Sequence, residues 1–391
     1  MRLIALMVSL LLGSAVHAQQ PDRFYDPAGL ALSRRPGALL RVETMPGAPA
    51  GATAYRIVYS STGLDGKPLL VSGVVVVPPE APPPGGRPAI AWAHPTSGVE
   101  TRCAPSQARG FFGSVQGLET MLRAGYVVVA TDYPGLGMQG PHPYLVGVSE
   151  GRSVLDSVRA AQALPQAHVG RRFAVWGHSQ GGQAALFTGL LAKSYAPDLA
   201  LMGVAAAAPA TELSALLADD IATSGGRNLT AMTLWSWQRV YGAPTDAVVV
   251  PQARPAMDAL AGDCIESVFD IVARLRPTEA LAKAFLRSET FYRQPPWAAL
   301  LARNTPGVMP GGVPLFLAQG TADDLVRPQV TQDYADRNCR AGRAVRMLWL
   351  PGVGHLFAAR DGADAAISWI GERFAGTAAP TDCSALPANR H

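Results

Sequence analysis

Charge, long apolar runs and cysteine are all scarce in this chain. Only 16% of its 391 residues are charged while 48% are hydrophobic, which favours a large core and excludes global disorder. The formal net charge is +4, and no run of lysine or arginine concentrates it. A dedicated nucleic-acid binder would carry a basic patch or stripe, so no nucleic-acid partner is expected. No apolar stretch reaches the roughly 20 residues that a membrane-spanning helix needs. Cysteine is limited to Cys103, Cys264, Cys339 and Cys383, with no C-x-x-C and no histidine at zinc-ligand spacing. Neither a metal site nor a cofactor is therefore expected. The chain has no internal repeat, and its 40 glycines and 33 prolines follow no collagen-like period, so they read as turns.

The N-terminus carries an export pattern. Arg2 supplies a positive charge, Leu3 to Leu12 is apolar except for Ser9, and Val16 and Ala18 stand three and one before a cut after Ala18. This is the form of a signal peptide, and the apolar run is about half the length of a membrane anchor. An exported protein, secreted or periplasmic, is expected. An even, sparse cysteine count in that setting predicts two disulfides, and spacing alone leaves all three pairings open.

Strands and helices alternate along the rest. Strands are predicted at Arg56 to Ser61 and Pro68 to Val77, joined by a turn at Asp65-Gly66, then at Pro88 to Ala93 and Gly125 to Thr131. Ser149 to Leu164 has apolar residues at helical spacing (Val154, Leu155, Val158, Ala161). Further strands follow at Arg172 to Trp176, Leu199 to Ala207, Val313 to Ala318 and Ala344 to Leu350, with helices at Gln180 to Lys193 and Ala363 to Phe374. This order implies an α/β fold, a mostly parallel sheet with helices on both faces. About a hundred residues interrupt it between Ala207 and Val313, rich in bulky groups such as Trp235, Trp237, Phe269, Phe291 and Trp297. Such a block reads as an inserted helical cap. The expected division is 1–18 signal peptide, 19–210 core, 211–310 cap and 311–391 core again.

Two motif matches do not carry function. GLGMQG at 135–140 fits a dinucleotide fingerprint, but Pro141 and Pro143 forbid the helix that must open there. GVSEG at 147–151 fits G-x-S-x-G, but a poor strand precedes it, and Ser149 is read as a helix N-cap. The sequence RFAVWGHSQGG at 172–182 is different, because a strand runs into Gly177-His178-Ser179-Gln180-Gly181 and a helix follows. That is a nucleophile elbow, with Ser179 at the tip of a strand-to-helix turn and glycines where side chains would clash.

A serine nucleophile needs a base and the base an acid. Of seven histidines only His355 and the terminal His391 follow the elbow, and His355 sits just past a strand in PGVGHLF. His94 and His178 are read as packing residues. Asp323 and Asp324 compete as the acid past Val313 to Ala318, and Asp323 is preferred because Val326 would pack under its loop. The oxyanion needs two N–H donors: one is expected from Gln180, the other from the loop His94-Pro95-Thr96-Ser97-Gly98. Pro95 has no N–H, so Thr96 is the first candidate and Ser97 the second.

These residues resemble the α/β-hydrolase fold, and more narrowly the secretory lipase family best known from fungi, with bacterial relatives. The resemblance spans nearly the whole chain after residue 18. It rests on DRFYDPAGL with PGALLRVE, AYRIVYSSTGLDGKPLLVSGVVVVP, CAPS, TDYPGLG and GHSQGG in that order. The loop HPTSG departs from the fungal members. Carried over, Ser179, Asp323 and His355 fall on the family's triad positions, Gln180 and Thr96 on its oxyanion positions, and the insertion on its lid. The resemblance also points to Cys103–Cys264 and Cys339–Cys383 as the disulfides, in keeping with a cap tied beside the oxyanion loop and a tail pinned to the body. The expected activity is a carboxylic-ester hydrolase, lipase or esterase, acting on small-molecule or lipid esters, with transient contact to a lipid interface through the cap. A serine peptidase or amidase of the same superfold is the alternative.

Overall fold

The computed structural model describes residues 22–384, apart from 50, 267–269 and 271–273. The expected leader at 1–18, Phe269 and His391 lie outside the described residues. Among these, nine strands form one sheet: β1 Leu39–Met45, β2 Thr53–Thr62, β3 Pro68–Val77, β4 Arg87–Ala93, β5 Val127–Thr131, β6 Val169–His178, β7 Ala200–Ala207, β8 Leu315–Gly320 and β9 Val345–Leu350. Their order is β1-β2-β3-β5-β4-β6-β7-β8-β9. The pairs β1–β2, β2–β3 and β3–β5 are antiparallel, and all pairs from β5–β4 to β8–β9 are parallel.

The central strands are apolar on both sides because both sides are covered. Alternate residues divide between two clusters, as a pleated strand requires. Ile90, Trp92, Ala174, Trp176, Phe316 and Ala318 face helices Leu118–Arg123 and Ala358–Phe374 and the cap helices. Ala89, Ala91, Phe173, Val175, Leu315 and Leu317 face helices Gly147–Gln162, Gln180–Tyr195 and Pro328–Arg340. Trp92 and Trp176 are both fully buried, and each such side chain contributes roughly 1.5–3 kcal/mol.

The segment between β7 and β8 holds helices Leu213–Asp220, Ser224–Tyr241, Arg254–Gly262, Leu275–Lys283 and Trp297–Asn304. Its aromatic residues pack on one another: Trp237 stacks on Trp297 with centroids 6.3 Å apart, and Phe291 meets Trp297 edge-on at 5.4 Å. Leu216, Trp237 and Trp297 share one continuous cluster with Ala207 and Trp176 of the sheet. The two disulfides are Cys103–Cys264 and Cys339–Cys383, with Cα atoms 5.1 and 5.3 Å apart.

Three readings are corrected. Strand β1 was not expected; its side chains are half-buried or exposed, so LLRVETM lacks a buried strand's apolar alternation. Ser149 is not an N-cap: the helix starts at Gly147 after Val146, and Ser149 lies buried inside its first turn. The last helix begins at Ala358 rather than Ala363, because the short turn His355–Phe357 runs straight into it.

Candidate active site

Every residue singled out for the site lies past the C-terminal end of a parallel strand: Thr96 after β4, Ser179 after β6, Asp323 after β8 and His355 after β9. That is the edge where open α/β sheets bind ligands. Ser179 joins β6 to helix Gln180–Tyr195 at φ 58° and ψ −119°, a left-handed conformation that side chains rarely adopt. The turn is so close that a Cβ on Gly177 would lie 2.1 Å from the Gly181 carbonyl oxygen. One on Gly181 would lie 1.9 Å from the Ala93 carbonyl oxygen. The Ser179 N–H donates to the Ala207 carbonyl at 3.0 Å, anchoring the elbow to β7.

The three polar side chains form a line. Ser179 Oγ lies 2.9 Å from His355 Nε2, and His355 Nδ1 lies 2.9 Å from Asp323 Oδ2. Asp323 is 4% exposed, and its other contacts hold the carboxylate in place. Oδ1 accepts from the Leu325 and Val326 N–H groups at 3.0 and 2.8 Å, and Oδ2 accepts from Gln319 Nε2 at 3.1 Å. Asp324 is exposed, and of the two competing acids it is Asp323 that is hydrogen-bonded to the histidine. His178 lies beneath, its Nε2 donating to the His355 carbonyl at 3.0 Å. Burial, and after it the neighbouring His355, pushes the His178 imidazole down to about 3, so it serves as a neutral prop.

Gln180 is the first residue of its helix, where N–H groups have no intrahelical acceptor. Its side chain is held from the opposite side: Nε2 donates to Glu150 Oε1 at 2.7 Å and lies 3.3 Å from His142 Nε2. Glu150 Oε1 also accepts from the Leu145 N–H at 3.1 Å. Burial pushes the Glu150 carboxyl up to about 8. Glu150 was not singled out in the sequence, although it is the fourth residue of the rejected GVSEG motif. Thr96 Oγ1 lies 2.9 Å from the Tyr144 hydroxyl, and the Ser97 carbonyl accepts from the cap's Ile265 N–H at 2.8 Å. His94 packs against Tyr133 with its Nδ1 2.6 Å from the Pro95 carbonyl, and burial pushes it down to about 4. The stretch 135–140 forms turns with no helix opening at the glycines. A Cβ on Gly135 would sit 2.4 Å from the His142 nitrogen, so packing explains that glycine.

A cavity of about 40 Å³ reaches Ser179 and Gln180. The helices between β7 and β8 supply half of its lining residues, including Leu213, Leu216, Leu217 and Leu229, and Leu325 and Val326 close it.

A mostly parallel nine-stranded sheet that carries a serine at a strained strand-to-helix elbow defines an α/β-hydrolase. The solved structure of Candida antarctica lipase A in its closed state has the same fold, with a TM-score of 0.76 at 18% identity, over 94% of this chain and 89% of that one. The family described as secretory lipase matches residues 114–382, and the chain belongs to it. Lipase 10 of Candida albicans is 25% identical over 93% of this chain and 82% of its own length. The probable inactive lipase MT1628 of Mycobacterium tuberculosis is 30% identical over 49% of this chain and 46% of its own. The protein is thus a carboxylic ester hydrolase of the lipase and esterase kind. No described helix is long and apolar enough to cross a membrane.

Proposed function

We propose that the chain hydrolyses carboxylic esters through an acyl-enzyme formed on Ser179. The observation that carries this is the pair of 2.9 Å contacts linking Ser179 Oγ, His355 and Asp323. Ser179 Oγ attacks the ester carbonyl carbon while His355 Nε2 takes its proton. Asp323 accepts from Nδ1–H, which fixes the tautomer and stabilises the imidazolium. The backbone N–H groups of Gln180 and Thr96 receive the oxyanion. The alcohol leaves with the proton from His355. Water, deprotonated by the same nitrogen, then attacks the acyl-enzyme, releasing the carboxylic acid and restoring Ser179.

In this reading residues 19–210 and 311–391 form the catalytic core, and 211–310 form a lid. A cavity of about 40 Å³ holds a few water molecules at most and no acyl chain, so the lid helices must shift to admit substrate. Their apolar inner face would then meet a lipid surface. The leader at 1–18 would export the enzyme, secreted or periplasmic, where both disulfides can persist. Nitrophenyl esters of graded chain length, run beside peptide anilides, give the acyl preference. A nitrophenyl phosphonate should label one residue, Ser179, read by peptide mass. Labelling elsewhere, or turnover of anilides in place of esters, would overturn the proposal.

A further inference from the structure

Among the described residues five buried side-chain polar atoms of the cap lack a partner, and two of them, on Asp220 and Thr230, belong to residues that line the cavity at Ser179. Asp220 closes helix Leu213–Asp220, and Thr230 lies in the second turn of helix Ser224–Tyr241. Asp220 is 8% exposed and Thr230 1%. Asp220 Oδ1 and Thr230 Oγ1 have no hydrogen-bond partner among the described residues. Leaving a buried polar atom unmet is unfavourable, so neither group is explained by stability. Their neighbours differ in this respect. Thr233, on the same wall, donates its hydroxyl to the Leu229 carbonyl at 2.9 Å, and Asp219 pairs with Arg327 at 3.1 Å on the outer side.

Asp220 is held against helix Ser224–Tyr241, so the two cap helices carry it and Thr230 together. Gly226 packs so tightly against it that an added Cβ would lie 2.3 Å from the Asp220 Cα and Cβ. The remaining cap wall is four leucines and Thr233, whose hydroxyl is already engaged, so the acid and the unmet hydroxyl stand out. Burial, and after it the nearby Asp219, pushes the Asp220 carboxyl up to about 8. A neutral carboxyl brings no charge into the apolar cavity and keeps an oxygen free to accept.

We infer that Asp220 and Thr230 form a polar subsite that selects esters carrying a free hydroxyl group. The substrate hydroxyl donates to Asp220 Oδ1 and accepts from Thr230 Oγ1–H. An ester without that hydroxyl leaves both atoms unmet once water is displaced, and a site built around a hydrogen bond rejects such an analogue. This rests on Ser179 being the nucleophile, since the subsite is defined by the cavity that Ser179 shares.

The test compares kcat/KM for two matched pairs. Methyl hexanoate against methyl 6-hydroxyhexanoate probes the acyl side, and hexyl butanoate against 6-hydroxyhexyl butanoate probes the alcohol side. The wild type should favour the hydroxylated member of at least one pair. Asp220→Leu and Thr230→Val should each reduce that preference by roughly three- to tenfold, and Asp220→Asn should keep it. Thermal melts of Asp220→Leu and Thr230→Val should lie no lower than the wild type. No preference in either pair, or a preference that survives in both Asp220→Leu and Thr230→Val, overturns the subsite and leaves water as the occupant. Ser179→Ala separates the two ideas: if it still turns over these esters, the nucleophile assignment fails, and if it is inert while the ratios stay flat, only the subsite fails.

Discussion

Replacing Glu150 by glutamine should flatten the enzyme's stability profile between pH 6.5 and 8. Glu150 is fully buried with its Oε2 unpartnered among the described residues, and burial pushes its carboxyl up to about 8 from the ordinary 4.5. Between those two values the folded protein holds a proton that the unfolded chain has lost, so unfolding free energy falls as pH rises. The fall is about 1.4 kcal/mol per pH unit for one such group, or about 2 kcal/mol from pH 6.5 to 8. Other groups titrate in the same window. Buried His94, His142 and His178 are pushed down to about 4, 3 and 3, so they are neutral when folded, but their unfolded imidazoles are about half protonated at pH 6.5 and add a slope of opposite sign that fades by about pH 7.5 in wild type and variant alike. Asp132 and Asp156, near 6, are mostly ionised in both states by then. Asp220, near 8, remains and adds a slope of the same sign. Glutamine keeps an acceptor for the Gln180 Nε2 and Leu145 N–H bonds and cannot ionise. Urea unfolding at pH 6.5, 7.2 and 8, with disulfides intact, should show the wild-type unfolding free energy falling by about 2 kcal/mol more than that of Glu150→Gln across this range, since every other group is common to both. Identical slopes would refute the claim that Glu150 is protonated in the native state.

Three further outcomes follow from the geometry. Ser179→Ala should lower kcat on a nitrophenyl ester by on the order of 10⁴-fold or more, while Ser149→Ala keeps most of it; a Ser179→Ala enzyme with a tenth of its rate would sink the mechanism. Asp323→Asn should be far more damaging than Asp324→Asn, by roughly 10³- to 10⁴-fold, because only Asp323 reaches His355; steady-state kinetics giving equal rates would remove the assignment. Gly181→Ala should destabilise the fold by roughly 1–3 kcal/mol and disable the elbow, since its methyl would overlap the Ala93 carbonyl; a melt and activity like wild type would show that the turn is looser than described.

The sequence made the central sheet legible because its strands are apolar runs punctuated by turns, and β2 to β9 all fall within a few residues of expectation. Strand β1 escaped because a solvated edge strand need not alternate. The elbow was readable from chemistry alone: Gly177 and Gly181 flank Ser179 for a steric reason that holds in any such turn. The choice of Asp323 over Asp324 was argued from Val326, whose N–H does bond to Asp323 Oδ1. The contact between Glu150 and Gln180 could not be read in advance. It joins residues on separate helices, and nothing in the letters GVSEG says that the glutamate faces inward. Asp220 was hidden for the same reason, since a cap helix ending in Asp-Asp looks solvated until Gly226 is seen pressed against it.

The bond between Cys103 and Cys264 turns part of the chain into a closed ring with a sequence separation of 161. Ser179 lies on the ring, whereas Asp323 and His355 lie on the open tail beyond it. A protease that cuts the cap once between residues 103 and 264 therefore opens the ring without releasing a fragment. Both pieces stay joined through Cys103 and Cys264, and Ser179 keeps its place directly after β6 at the middle of the sheet. A nicked molecule would run as one species until reduced and as two afterwards, so the chain can take a cut inside the ring and remain a single covalent body.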